Sequence, residues 1–341
     1  MAILAVDVAI VLLTTGAIWV GSGWLEEASE KLSAYYGLPE VVQGSIVTAV
    51  GSSFPELATV VFAAITVGDL ELGVGAIVGS AIFNVLVIPA IAGIATDEDI
   101  ESNRTLVYKE AQFYMLAVSV LVITFALGVI YYPAPDATYL AGDITRPLAL
   151  IPLGLYGLYI FIQYQDTTDH VAVPGESDGI DVGQQWILLA ASLLVILIAV
   201  ERLVHSVDVI GTALGVPGFI MGVTIAAGAT SLPDGLVSVR AARSDRGVAS
   251  LANVLGSNTF DLLVAIPAGV LIAGSTTINF EMAIPMFGVL TLATILLFTV
   301  LRTGLALSDA ESYALLAFYV LFVAWVVLET VSNAVNLLPN G

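Results

Sequence analysis

Three carboxylates, Glu56, Asp234 and Asp261, stand in stretches that are otherwise almost wholly apolar. Glu56 and Asp234 each follow a proline directly, within Gly-Ser-Ser-Phe-Pro-Glu (51–56) and Gly-Ala-Thr-Ser-Leu-Pro-Asp (228–234). An unpaired carboxylate in hydrocarbon costs about 2.5 kcal/mol or more, and no Lys or Arg lies at the same depth to offset it. Two chemistries accommodate such groups: a protonated, hydrogen-bonded carboxyl, or a coordinated cation. The neighbours favour the cation. Pro55 and Pro233 cannot donate a backbone hydrogen bond, which frees the carbonyls of Gly51 and Ala229. The hydroxyls of Ser52 and Ser53, and of Thr230 and Ser231, sit beside those carbonyls. Carboxylate, hydroxyl and carbonyl oxygens together are the ligand set of hard cations. Two further pairs, Ser80 with Asn84 and Ser257 with Asp261, are spaced i, i+4 and so share one face of a helix.

The elements that must position these groups are membrane spans. Of the 341 residues, 58% are hydrophobic and 11% charged, too little polar material to coat a soluble domain of this length. The apolar residues form ten long stretches: Ala2–Leu25, Pro39–Val67, Leu70–Thr96, Glu110–Tyr131, Arg146–Gln163, Gln185–Val204, Val216–Arg243, Val248–Ala273, Glu281–Arg302 and Ser312–Val331. About 20 apolar residues cross a bilayer as a helix. The expected fold is therefore an all-α membrane protein of ten transmembrane helices, with no soluble catalytic domain and no nucleic-acid partner. Met1–Leu25 has no basic leader and carries Asp7, so it reads as a permanent first span. Lys31, Arg104, Lys109, Arg240, Arg243, Arg246 and Arg302 fall on one side of the ten spans, and Arg146 and Arg202 on the other. That asymmetry makes the first side cytoplasmic and puts both termini outside. With no cysteine, and with His170 and His205 isolated, disulfide and Cys/His metal chemistry are excluded.

The sequence also repeats itself. Residues 44–64 align without gaps on 222–242, at an offset of 178, and Gly-Ser-Ala-Ile-Phe-Asn (79–84) lies over Gly-Ser-Asn-Thr-Phe-Asp (256–261) at an offset of 177. Each copy spans a helical hairpin, 39–96 or 216–273. Five spans per half, an odd number, insert the second half upside down relative to the first. The expected organisation is a first five-helix repeat over 1–163, an acidic cytoplasmic linker over 164–184, and a second, inverted repeat over 185–341. The recurring glycines also have a plainer reading, close packing of membrane helices.

The doubled motifs, GSSFPE with GSAIFN and GATSLPD with GSNTFD, resemble the two alpha repeats of the cation/calcium antiporter superfamily, in particular the sodium/calcium exchangers. The resemblance implies antiport of Na⁺ against Ca²⁺ by alternating access in a cell membrane, with no enzyme activity and no cofactor beyond the transported ions. Mapped residue by residue, it implies ion ligands at Ser52, Ser53, Glu56, Ser80 and Asn84, at Thr230, Ser231, Asp234, Ser257 and Asp261, and at the backbone carbonyls of Ala49 and Ala227. Asp234 and Asp261 also resemble the potassium-dependent branch, which leaves K⁺ co-transport open. A Ca²⁺/H⁺ antiporter is the alternative, although that branch typically has Gly-Asn before its repeat glutamates. A cation channel and an intramembrane protease fit less well, the latter for want of a buried base. Oligomeric state is not fixed by the sequence, and one chain supplies every implied ligand. The remaining acidity, 29 Asp and Glu against 9 Lys and Arg, lies mostly in loops and reads as a skin adapted to high salt, as in a halophilic prokaryote.

Overall fold

In a bilayer interior each backbone N–H must be satisfied within its own segment, which makes long apolar runs fold as helices. The computed structural model describes residues 2–36, 49–96, 98–134, 140–167 and 180–332. Its helices are α1 (Ala2–Tyr35), α2 (Ala49–Ser52 and Phe54–Phe62, then a π turn at Ala63–Val67) and α3 (Leu70–Ile94). After them come α4 (a π turn at Leu106–Ala111, then Gln112–Tyr131), α5 (Arg146–Thr167) and α6 (Val182–Leu214). α7 comprises Gly218–Met221, a π turn at Gly222–Ala226, Ala227–Thr230 and Leu232–Arg243. α8 comprises Gly247–Phe260, a π turn at Asp261–Ala265 and Ile266–Ala273, and α9 (Phe280–Arg302) and α10 (Asp309–Ser332) complete the order.

Among the described residues eight helices are long and apolar enough to cross a membrane, and α7 makes a ninth if it is counted across its 44° bend. The expected second span, Pro39–Val67, is seen only from Ala49 onward, since 39–48 lie outside the described residues, as does most of the 164–184 linker. α1 and α6 run to Tyr35 and Leu214, nearly three turns beyond the expected Leu25 and Val204. Hydropathy marks where the apolar stretch ends, whereas the helix continues through polar turns such as Glu27–Lys31, closed by an i, i+4 ion pair at 2.5 Å.

α1 and α6 pack along each other in antiparallel fashion. Ser206 donates to Asp7 near one end of the pair, and Trp186 Nε1 meets the Tyr36 hydroxyl at the other. Two helices are enclosed instead. In α3, 83% of the most apolar window is buried and in α8 78%, against 22% in α1, α5 and α10. These two are the helices that carry Ser80, Asn84, Ser257 and Asp261. Short strands, which the sequence did not announce, tie the loops: β1 (Ile100–Glu101) pairs with β4 (Ala306–Leu307), and β2 (Ala141–Thr145) with β3 (Ser275–Asn279), both antiparallel.

α3 and α7 interlock at backbone distance. A Cβ placed on Gly75 would stand 2.2 Å from the Phe219 carbonyl oxygen, and one on Gly79 would stand 2.2 Å from that of Val223. No side chain can be placed there unless the helices separate. Gly79→Ala is therefore expected to cost about 1–3 kcal/mol, seen as a lower thermal midpoint in detergent. Gly16→Ala, where nothing lies within 4 Å, should leave the midpoint unchanged.

Candidate cation site

The two prolines break their helices where the sequence says they must. α2 is interrupted at Ser53 (φ −87°, ψ 6°) and α7 at Ser231 (φ −79°, ψ −5°), and a new helix starts at Phe54 and at Leu232 with Pro55 and Pro233 in its first turn. Proline is at home there because first-turn N–H groups have no intrahelical acceptor. Glu56 and Asp234 therefore sit in first turns, where the helix N-terminus carries partial positive charge. Asp261 opens the π turn of α8. All three carboxylates are at most 1% exposed. Among the described residues none is ion-paired to a Lys, Arg or His.

The predicted residues meet, and they divide into two sets. One is hydrogen-bonded among itself: Ser52 and Ser257 hydroxyls lie 3.1 Å apart, Ser231 donates to Ser80 at 2.7 Å, and Ser257 donates to Asp234 at 3.1 Å. Asn84 Nδ2 donates to Asp234 at 2.9 Å, and Thr230 donates to the Ala226 carbonyl. The expected Ala227 carbonyl accepts the Ser231 N–H at 3.0 Å. The other set consists of buried oxygens with no hydrogen-bond partner: Ser53 Oγ, both oxygens of Glu56, Asn84 Oδ1 and both oxygens of Asp261. No three acidic or histidine side chains among the described residues are placed to hold a metal by themselves. Any ion here would be held by a mixture of carboxylate, amide and hydroxyl oxygens.

The repeat explains why these oxygens are left over. Asn84 in the first hairpin corresponds to Asp261 in the second, and Asp234 to Glu56. In one place Asn84 gives its N–H to Asp234. In the matching place the pair is two carboxylates, Glu56 and Asp261, whose like charges act on each other. Two ionised carboxylates offer acceptors and no donor, so a hydrogen-bond donor or a cation has to join them.

The family model described as sodium/calcium exchanger protein matches residues 6–165 and 184–328. The chain belongs to the sodium/calcium exchanger protein family. It is 25% identical over 267 residues to an uncharacterized membrane protein, MJ0091, of Methanocaldococcus jannaschii, covering 78% of this chain and 82% of that one. Its fold is similar to that of the sodium-calcium exchanger NCX_Mj (TM-score 0.64, 22% identity, 94% of this chain and 99% of that one). It is also similar to that of the H⁺/Ca²⁺ exchanger CAX (TM-score 0.73, 18% identity, 93% and 82%). At these identities the two structural likenesses speak for the fold alone.

Sequence reasoning missed Asn258. Its amide oxygen accepts from Asn84, and its Nδ2 reaches the Ala81 carbonyl at 3.2 Å and the Tyr114 hydroxyl at 3.3 Å. Asn258 is the repeat mate of Ala81. A search for polar residues present in both copies passes over it, whereas a search for polar residues present in only one would have found it.

Asp261→Asn tests the carboxylate pair. The substitution rebuilds the Asn84–Asp234 arrangement, giving Glu56 a donor in place of a like charge. In ion-free detergent solution it should stabilise the protein by about 1–3 kcal/mol and shrink the rise in thermal midpoint that calcium produces. Thermal unfolding with and without calcium measures both effects.

Proposed function

We propose that this family member exchanges Na⁺ for Ca²⁺ across the membrane by alternating access, with the transported ion held between Glu56 and Asp261. The observation that carries this reading is the set of six buried oxygens without partners, all on residues that the doubled motif singles out. Oxygen ligands with excess negative charge suit Ca²⁺ and Na⁺. One such set can serve the two ions in turn but not together, which is the physical basis of exchange. Glu56, Asn84, Asp261 and Ser53 act as direct ligands. Asp234, Ser52, Ser80, Ser257, Thr230 and Ser231 form the hydrogen-bonded frame and become ligands when those bonds open, and the Ala49 and Ala227 carbonyls complete the set. No cofactor and no chemical step is required, and one chain supplies all ligands, so a monomer suffices.

The proposed frame is ten spans in two inverted five-helix repeats, 1–163 and 185–341, with both termini outside the cell. Contacts between loops support it by parity, because hydrogen-bonded loops lie on one side of a membrane and an even number of spans separates them. The β1–β4 pair is separated by α4 to α9, and the β2–β3 pair by α5 to α8. Both counts are even only if bent α7 crosses. Tyr36 meets Trp186 across α2 to α5, which is even only if broken α2 crosses as well. The Arg243 side chain reaches the Ala95 carbonyl, joining two loops of the basic side.

Because the chain lacks cysteine, single substitutions report its orientation cleanly. In intact cells a membrane-impermeant maleimide should label Thr277→Cys and leave Ser244→Cys unlabelled until the cells are opened. The reverse pattern would invert the proposed orientation.

Transport is tested by radioactive calcium uptake into sodium-loaded proteoliposomes. Uptake should follow the outward sodium gradient. Uptake that ignores sodium and follows a pH gradient would instead make the chain a Ca²⁺/H⁺ antiporter, the reading that the likeness to CAX keeps in view. A requirement for potassium on the calcium side would add K⁺ co-transport.

A further inference from the structure

A crevice between α1 and α7, apolar over most of its lining, reaches Ser52 and holds two polar side chains on the α1 side. Ser22 and Glu26, spaced i, i+4 on one face of α1, line it, and from α7 it is lined by Pro233 at the inner end and by Arg240 a further two turns along. Ser22 is 4% exposed, and its hydroxyl oxygen has no hydrogen-bond partner. Glu26 is half-buried, and among the described residues it has no ion pair or hydrogen bond. The nearby charge acting on it most strongly is that of Glu30 on α1, followed by Arg240, Arg246 and Asp234.

We propose that Glu26 and Ser22 form an ion-capture stage on the route between the central site and the face of the membrane that carries Arg240. The inference rests on the antiport reading and assigns to it residues outside the doubled motif. An ion leaving the centre passes Ser52, exchanges part of its hydration for the Ser22 hydroxyl one step out, and meets the Glu26 carboxylate a helical turn beyond that. Arg240 is the internal competitor at the mouth, a fixed cation attracted to Glu26 whenever no mobile cation is there.

The test uses proteoliposomes in which right-side-out and inside-out molecules are read separately, with calcium varied on one face at a time. Glu26→Gln should raise the half-saturating calcium concentration on the Arg240 face by roughly three- to tenfold relative to the opposite face. Arg240→Gln should lower it, and Ser22→Ala should raise it by less than Glu26→Gln. An equal change on both faces, or no change on either, would overturn the proposal, since the first describes a disturbed centre and the second an idle carboxylate. Wild-type vesicles showing no sodium-dependent exchange would defeat the antiport reading, and with it this inference.

Discussion

Glu56 and Asp261 are two buried carboxylates whose charges act on each other, and among the described residues neither is paired with a basic residue and none of their four oxygens is within hydrogen-bonding geometry of a donor. Such an arrangement is unstable by itself, because buried like charges repel and desolvation penalises each one. The rest of the fold can be understood as what is needed to keep it in place. The broken helices α2 and α7 turn the start of a helix toward the middle of the molecule, so that N-terminal partial charge, and not lipid, meets Glu56 and Asp234. Enclosed helices α3 and α8 hold the matching polar pairs at i, i+4 spacing.

Close packing makes this enclosure possible. Gly75 and Gly79 bring α3 against the backbone of α7, so the central helices of the two hairpins meet there without side chains between them. The hydrogen bonds among Ser52, Ser257, Ser80, Ser231, Asn84 and Asp234 then cross from one hairpin to the other. They fix the frame and leave the unpartnered oxygens as the adjustable part. Around this core α1 and α6 form a separate long pair, joined to it by a smaller apolar cluster of its own.

Much of this was legible in the sequence for physical reasons. Lipid leaves only helices as spanning elements, prolines interrupt them at fixed places, and carboxylates in apolar runs demand a partner. The doubled motif alone singles out Glu56, Asp234 and Asp261. Other features were not legible. Hydropathy ends α1 at Leu25, although its helix continues to Tyr35, because polar turns can be helical too. The π turns and strand pairs of the described residues depend on long-range contacts that local pattern does not encode. The division of the polar residues into a bonded frame and free oxygens depends on side-chain geometry. Asn258, present in one copy only, lies where the two halves differ, and Glu26 lies outside the motif altogether.

The central claim is that a cation takes the place of the missing donor between Glu56 and Asp261. A crystal structure grown with calcium, at a resolution that reveals coordination, tests it most directly. The account predicts one calcium ion bridging these two carboxylates, with oxygens at about 2.3–2.6 Å that include Asn84 Oδ1. Calcium bound elsewhere, with Glu56 and Asp261 joined to each other by a short hydrogen bond through a shared proton, would contradict it.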